Sequence, residues 1–98
     1  MGFKDVKEKV IASLLADDYS HEARQDIDEK NLLSVGKITA AELAEVLKRS
    51  RGQEYSSSPH HQDSSVMVHV IVCNGWYVKF YFDPDTLFIS VHEEENKK

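Results

Sequence analysis

Residues 66–82 of the chain read VMVHVIVCNGWYVKFYF, and they carry its clearest structural signal. β-Branched and aromatic residues on both sides of Asn74-Gly75 predict two strands joined by a two-residue turn, because these two residues accept the positive φ angles of a tight hairpin. A turn of that length also sets the pairing, since hairpin register follows from loop length. It places Cys73 opposite Trp76, and the other pairs follow by counting outward.

The two faces of this hairpin differ in polarity. The predicted pairs on the more apolar face are Cys73–Trp76, Ile71–Val78, His69–Phe80 and Met67–Phe82. The predicted pairs on the other face are Val72–Tyr77, Val70–Lys79 and Val68–Tyr81. Because burial of large apolar side chains stabilises a fold, we expect the first face to pack on the helices. The second face is then exposed.

A third strand is predicted over residues 87–92, after a turn at Asp83-Pro84-Asp85-Thr86. With Pro84-Asp85 at the tip of the turn, alternation puts Leu87, Ile89 and Val91 on the apolar face. The exposed face then gains three cross-strand pairs, which are His92 with Tyr77, Ser90 with Lys79, and Phe88 with Tyr81.

The first half of the chain is predicted to be helical. Residues 3–16 have apolar side chains at helical spacing, Ser20 can cap a second helix from His21 to about Lys30, and Thr39 with Glu42 forms a capping box for a third. Residues 53–65 are predicted to form a loop, with a short edge strand near Tyr55.

The expected fold class is therefore α+β. About three N-terminal helices should pack on a C-terminal antiparallel sheet of three strands, or of four if the edge strand forms. Residues 1–93 are expected to make a single domain, and residues 94–98 a charged tail.

Composition limits the kinds of function. Twelve Lys and Arg against seventeen Asp and Glu give a net charge of −5, so any site for a polyanion must be a local cluster. A single cysteine, Cys73, suits a reducing compartment. No apolar run is long enough for a transmembrane helix, so the cytoplasm is the expected location and no membrane partner is expected.

The exposed face of the predicted sheet combines groups that can act on a phosphodiester. An imidazole can move a proton near neutral pH, and an ammonium can stabilise developing negative charge. A tyrosine ring can stack on a base, and its hydroxyl can orient a phosphate. His92, Lys79, Tyr77 and Tyr81 supply these groups. They are the parts required for metal-free RNA cleavage by the neighbouring 2′-hydroxyl. In this hypothesis Tyr77 and Lys79 orient and neutralise the phosphate, and His92 works as general acid or base. The alternative is that these side chains lie there because they pack well on a sheet.

The C-terminal third resembles the motility quorum-sensing regulator toxins, small ribonucleases of the wider RelE-like fold. The resemblance lies in Tyr77-Val-Lys79, followed by a turn and the segment Ile89-Ser90-Val91-His92. It implies metal-independent cleavage of mRNA, an antitoxin-like protein partner, and active-site roles for Tyr77 and His92. These toxins are basic and end this segment in lysine, whereas this chain is acidic and has histidine there.

The N-terminal half resembles a related small domain of unknown function. The matching segments are Ser20-His21-Glu22-Ala23-Arg24 and the Ile-Thr-x-x-Glu pattern over residues 38–42. In the first turn of a helix, His21 and Arg24 could bind a substrate phosphate at the positive helix end. The alternative is that both are ordinary surface residues.

Other candidates are weaker. His60 and His61 lie near Asp63, but adjacent histidines point apart in an extended chain, so a mobile polar loop is favoured over a zinc site. His69 falls on the apolar face and is interpreted as a core histidine or as a residue at a sheet edge, and Cys73 has no evident base. No cofactor, metal or DNA partner is expected. The first functional hypothesis is a toxin-like endoribonuclease that acts on mRNA, or a relative of one that retains the fold. The second is a non-catalytic protein-interaction module that uses the exposed sheet face.

Overall fold

The computed structural model describes residues 2–22 and 30–94. Within them, two α-helices and five strands follow one another as α1 (Phe3–Leu15), β1 (Tyr19–His21), α2 (Ala40–Lys48), β2 (Tyr55–Pro59), β3 (Met67–Cys73), β4 (Trp76–Phe82) and β5 (Thr86–Glu93). A turn of 3₁₀-helix, Gly52–Glu54, precedes β2. The strands form one mixed sheet in the order β1-β5-β4-β3-β2, in which β1 runs parallel to β5 and the other neighbours are antiparallel.

The predicted arrangement of about three helices on a three- or four-stranded antiparallel sheet is wrong. The chain is α+β, but the sheet has five strands and is mixed, and the described residues hold two α-helices. Ser20 and His21, expected to cap and begin a helix, lie in β1 instead. A three-residue strand is too short to show alternation, and its partner β5 is remote in sequence. Residues 23–29 of the predicted second helix lie outside the described residues.

The hairpin of β3 and β4 has the predicted register. Cys73 pairs with Trp76, Val72 with Tyr77, and the pairing continues in step to Val68 and Tyr81. Asn74 and Gly75 have φ angles of 51° and 82°, as a tight turn of this kind requires. The short edge strand expected near Tyr55 is present as β2.

The pairing of β4 with β5 is as predicted only up to Lys79. A register shift follows that residue, so Phe80 pairs with Phe88, and the predicted pairing of Phe88 with Tyr81 is wrong. Ile89 is the extra residue of this bulge, and in a β-bulge two residues on one strand oppose one on the other. The shift buries Phe88 completely and leaves Leu87 only partly buried.

The predicted inward positions of β5 change accordingly. Val91 is buried and pairs with Val78, as expected. Leu87 and Ile89 do not follow the prediction, since Leu87 pairs with Tyr81 and Ile89 lines a pocket beside Lys79 on the opposite face. Alternation cannot anticipate this outcome, because one extra residue reverses the facing of every side chain beyond it.

Both helices pack on one face of the sheet. Their buried residues are Val6, Val10 and Leu14 in α1 and Leu43, Ala44 and Leu47 in α2, and they join Ile71, Val78, Phe80, Phe88 and Val91 of the sheet in one core. The predicted capping box of α2 is confirmed, because the Glu42 amide donates to the Thr39 hydroxyl at 3.1 Å and the Thr39 amide donates to the Glu42 carboxylate at 2.9 Å. None of the helices described here is both long and apolar enough to cross a membrane.

Candidate functional site

Tyr77 and His92 lie side by side on the sheet face that points away from this core. They are cross-strand partners in β4 and β5, and their ring centroids are 4.9 Å apart with the planes 13° from parallel. Both side chains are partly exposed. The predicted juxtaposition of this phenol and imidazole is therefore confirmed, and Lys79 follows on the same face of β4.

The His92 ring makes a hydrogen bond to the backbone at the end of its own strand, β5. Its Nδ1 lies 2.9 Å from the Glu93 carbonyl oxygen. A carbonyl oxygen only accepts hydrogen bonds, so Nδ1 carries a hydrogen, and in the neutral ring Nε2 does not. The hydrogen bond also limits rotation of the ring beside Tyr77.

A pocket of about 240 Å³ lies on this same face, on the side of Lys79 away from Tyr77. It is lined by Lys79 of β4, Val68 of β3, Ile89 of β5, the end of β2 with the two residues after it, and the residue after β1. These are Ser58 and Pro59 at the end of β2, His60 and His61 after it, and Glu22 after β1. Of these, Glu22, His60 and His61 were not predicted as site residues.

Glu22 brings a carboxylate into this pocket. Its backbone amide donates to the Phe88 carbonyl at 2.9 Å, which continues the β1–β5 contact by one residue. Its Oε2 accepts a hydrogen bond from the Tyr81 hydroxyl at 3.1 Å and lies 3.5 Å from Nε2 of His60. The carboxylate is thus held by two side chains from different strands or loops.

His60 faces Glu22 with a defined nitrogen. The backbone amide of Gln62 donates to Nδ1 of His60 at 3.1 Å, so in the neutral ring the hydrogen is on Nε2, directed at Glu22. The side chain is only 10% exposed, against 32% for Glu22. The ring also packs edge-on against that of Tyr81, with the centroids 5.2 Å apart, and this contact limits its rotation. This makes His60 a positioning residue for the carboxylate.

The environment of Tyr81 keeps its hydroxyl protonated. Burial, the hydrogen bond to Glu22 and the nearby carboxylates of Glu22 and Asp83 raise the pKa of Tyr81 above its usual value. The phenol therefore stays a hydrogen-bond donor to Glu22 at neutral pH. Tyr81, predicted as a substrate-binding residue, donates its hydroxyl hydrogen to the Glu22 carboxylate.

His61 extends the site outward. Its ring is stacked on that of His60, with centroids 5.0 Å apart and planes 8° from parallel. Its side chain is exposed and lines the same pocket as Glu22 and Lys79. The pocket therefore holds a carboxylate, an ammonium and an accessible imidazole.

The structure does not bring His21 into this group. His21 ends β1 rather than starting a helix, and its ring packs among those of Tyr19 and Phe88 on the core side of the sheet. Its Nδ1 accepts a hydrogen bond from the buried Asn31 amide at 2.9 Å, and burial lowers its pKa. Arg24, the other predicted phosphate ligand, lies outside the described residues.

His69 is a core histidine, as predicted. It is 6% exposed and its Nδ1 lies 2.9 Å from the Tyr55 hydroxyl. The ring is surrounded by Tyr55, Phe80 and Phe82, whose centroids lie between 5.4 and 5.9 Å away. Burial lowers the pKa of His69.

Acid is expected to destabilise the fold in part through His69. Its pKa is lowered in the folded state from an ordinary value of 6.5, so below that pH the unfolded chain binds a proton that the folded chain resists. The free energy of unfolding should then decrease as pH falls from 6.5 to the lowered pKa, by at most about 1.4 kcal/mol per pH unit for this group. Urea unfolding at pH 7.5 and 5.5 measures the loss, and His69→Gln should reduce it. His61→Gln, an exposed substitution, serves as the control, and an equal loss in wild type and His69→Gln would contradict the expectation.

Comparisons with models of protein families, with curated proteins and with solved structures return no match to this chain. The chemistry of the site must therefore be inferred from its own geometry.

Proposed function

We propose that this chain is a toxin-like endoribonuclease that cuts mRNA in the cytoplasm without a metal ion, by attack of the neighbouring 2′-hydroxyl. The observation that carries the proposal is the pocket in which the Glu22 carboxylate, oriented by Tyr81 and His60, faces the same space as the Lys79 ammonium. A base and a cation at one phosphate are the minimum that this reaction requires.

Glu22 is the general base in this mechanism. Its carboxylate takes the proton of the 2′-hydroxyl, and the oxygen attacks the adjacent phosphorus. The bond from phosphorus to the 5′-oxygen of the next nucleotide breaks, and that oxygen leaves with a proton from a general acid. The products are a 2′,3′-cyclic phosphate and a free 5′-hydroxyl. Tyr81 and His60 keep the carboxylate in one position, which reduces the reorganisation that the reaction demands.

Lys79 stabilises the charge that develops on the phosphate oxygens. Its ammonium is a point charge on a flexible stem, which suits a phosphate whose negative charge is spread over several oxygens. It is also the cation that β4 presents to the pocket, and it offsets the repulsion between the phosphate and the Glu22 carboxylate.

Two imidazoles can provide the proton for the leaving oxygen. His61 lines the pocket together with Glu22 and Lys79, whereas His92, predicted from the sequence as the general acid or base, is stacked on Tyr77 beyond the pocket lining. Shared access to one pocket favours His61. The partner would be an antitoxin-like protein that restrains cleavage, as the resemblance to the toxin family implies.

A cleavage assay on unstructured RNA with excess EDTA tests the proposal. Wild type should release cyclic-phosphate ends in the presence of the chelator, and Lys79→Ala should lower kcat/KM by about 10²-fold, since removal of one charge-stabilising group costs that order of rate. Lys4→Ala is the matched control, because it removes an exposed lysine from α1 on the covered side of the sheet. Equal cleavage by Lys79→Ala and Lys4→Ala would contradict the role of Lys79.

The second candidate is a non-catalytic module that binds a protein through the exposed sheet face. The net charge of −5 favours it, because proteins that hold RNA through phosphates normally have a basic surface. The same assay separates the two functions. Signal at background level for wild type and all variants supports the binding module.

A further inference from the structure

The Tyr77–His92 ring stack lies beside the pocket without lining it. Tyr77 precedes Lys79 by two positions on β4, and two positions on the same face of a strand are separated by roughly 7 Å. The stack is therefore next to Lys79 on the same face of the sheet, and Lys79 is the residue whose ammonium binds the phosphate in the proposed function.

Contacts within the sheet also restrain the two rings of the stack. Both rings are on paired central strands of the sheet, and the bulge begins only after Lys79, so the pairing of Tyr77 with His92 is regular. The hydrogen bond from His92 Nδ1 to the Glu93 carbonyl holds the second ring. Little side-chain entropy remains to be lost when a planar ligand binds to such a surface.

We propose that the Tyr77–His92 stack binds an unpaired nucleobase of the RNA strand whose phosphate lies at Lys79. A planar, partly exposed pair of parallel rings offers a surface on which a third ring can stack, and every nucleobase has a suitable face. A base inside a duplex is already stacked between its neighbours and paired, so it cannot reach the platform. The inference rests on the proposed function only for the identity of the phosphate at Lys79.

This inference changes the roles predicted for Tyr77 and His92. As a platform, Tyr77 acts through its ring and not through its hydroxyl, and His92 acts as the second ring of the stack. Loss of the Tyr77 ring should then raise KM more than it lowers kcat, and loss of the hydroxyl alone should change neither by much. A residue that transfers a proton or orients the reacting phosphate would show the opposite split.

A binding experiment tests the platform without requiring cleavage. The probe is a fluorescein-labelled, single-stranded 2′-O-methyl RNA of eight nucleotides, which lacks the attacking hydroxyl, and anisotropy gives Kd. Base–aromatic stacking is worth about 1–3 kcal/mol, so Tyr77→Ala should weaken binding about 5- to 150-fold, whereas Tyr77→Phe should bind like wild type. The same probe annealed to its complement should bind more weakly than the single strand.

Abasic versions of the probe test the platform without relying on a single protein variant. A scan with one abasic nucleotide at each position should find a position where wild type loses about the same factor as Tyr77→Ala. Tyr77→Ala should be insensitive to that same change, because the two modifications remove the same contact. Circular dichroism verifies the fold of the variant, and the scan on wild type alone still tests the idea if Tyr77→Ala does not fold.

The two proposals fail in different ways. Binding that depends on the ring and on a base, without any cleavage of ordinary RNA, supports the platform and contradicts the endoribonuclease. Cleavage with no effect of abasic substitution at any position, or equal losses in Tyr77→Phe and Tyr77→Ala, contradicts the platform and leaves the endoribonuclease. Equal affinity for duplex and single strand also overturns the platform.

Discussion

Replacement of Glu22 by glutamine is expected to lower kcat/KM for RNA cleavage by about 10²- to 10⁴-fold, the contribution that a positioned general base normally makes. Glutamine has nearly the shape of glutamate and can still accept the Tyr81 hydrogen bond, but its amide cannot take a proton. The loss therefore reports the chemistry of the carboxylate rather than a change in the pocket.

Tyr81→Phe is the matched comparison for Glu22→Gln. It removes the 3.1 Å hydrogen bond that orients the carboxylate but leaves the base in place, so its loss of kcat/KM should be smaller than that of Glu22→Gln. His61→Ala and His92→Ala, measured side by side, identify the general acid. If Glu22→Gln cleaves RNA as fast as wild type, the proposed base is wrong.

Replacement of Phe88 by alanine is expected to lower the free energy of unfolding by about 3–5 kcal/mol. The ring is fully buried and packs on Phe80 and Tyr19, with centroids 5.9 and 5.5 Å away. Its loss leaves a cavity where the sheet meets the helices, and both the removed contacts and the cavity cost free energy. A domain of this size is stable by about 5–15 kcal/mol, so much of the fold's stability depends on this residue.

Leu87→Ala is the control. Without the bulge, Leu87 would face the core and Phe88 would lie on the exposed face. Leu87 is only partly buried beside Tyr81, so its truncation should cost about 1 kcal/mol. Urea unfolding followed by circular dichroism measures both variants. A larger loss for Leu87→Ala than for Phe88→Ala would contradict the bulge and restore the register predicted from uninterrupted alternation.

The β3–β4 hairpin could be predicted because its information is local. Two residues with positive φ, Asn74 and Gly75, stand between strands of strong β-propensity, and the turn length leaves a single pairing. The capping box of α2 was likewise readable from Thr39 and Glu42, three residues apart. In both cases every interacting group lies within a few residues of its partner.

The candidate site was predictable only in the pairing of Tyr77 with His92. The predicted turn tip at Pro84-Asp85 is wrong, because Phe82 pairs with Thr86 across three residues. The extra residue Ile89 restores the predicted register from Lys79 onward. Tyr77 and His92 were placed together correctly, because the β4–β5 register holds as far as Lys79. The neighbouring group of Glu22, Tyr81 and His60 was missed, although all three residue types are chemically conspicuous. Their sequence separations of 38 and 59 residues leave no pattern that a local rule can detect.

The sequence by itself determined the hairpin, the capped helix and the polar face that carries Tyr77 and Lys79, since turn chemistry, capping and alternation act over a few residues. The tertiary structure alone decided that Tyr19–His21 would pair with β5, that Ile89 would bulge, and that Glu22 and His60 would meet over Tyr81. Those outcomes depend on which arrangement buries Phe88 and pairs the strands with the lowest free energy. That free energy is a property of the whole packed chain and not of any one segment.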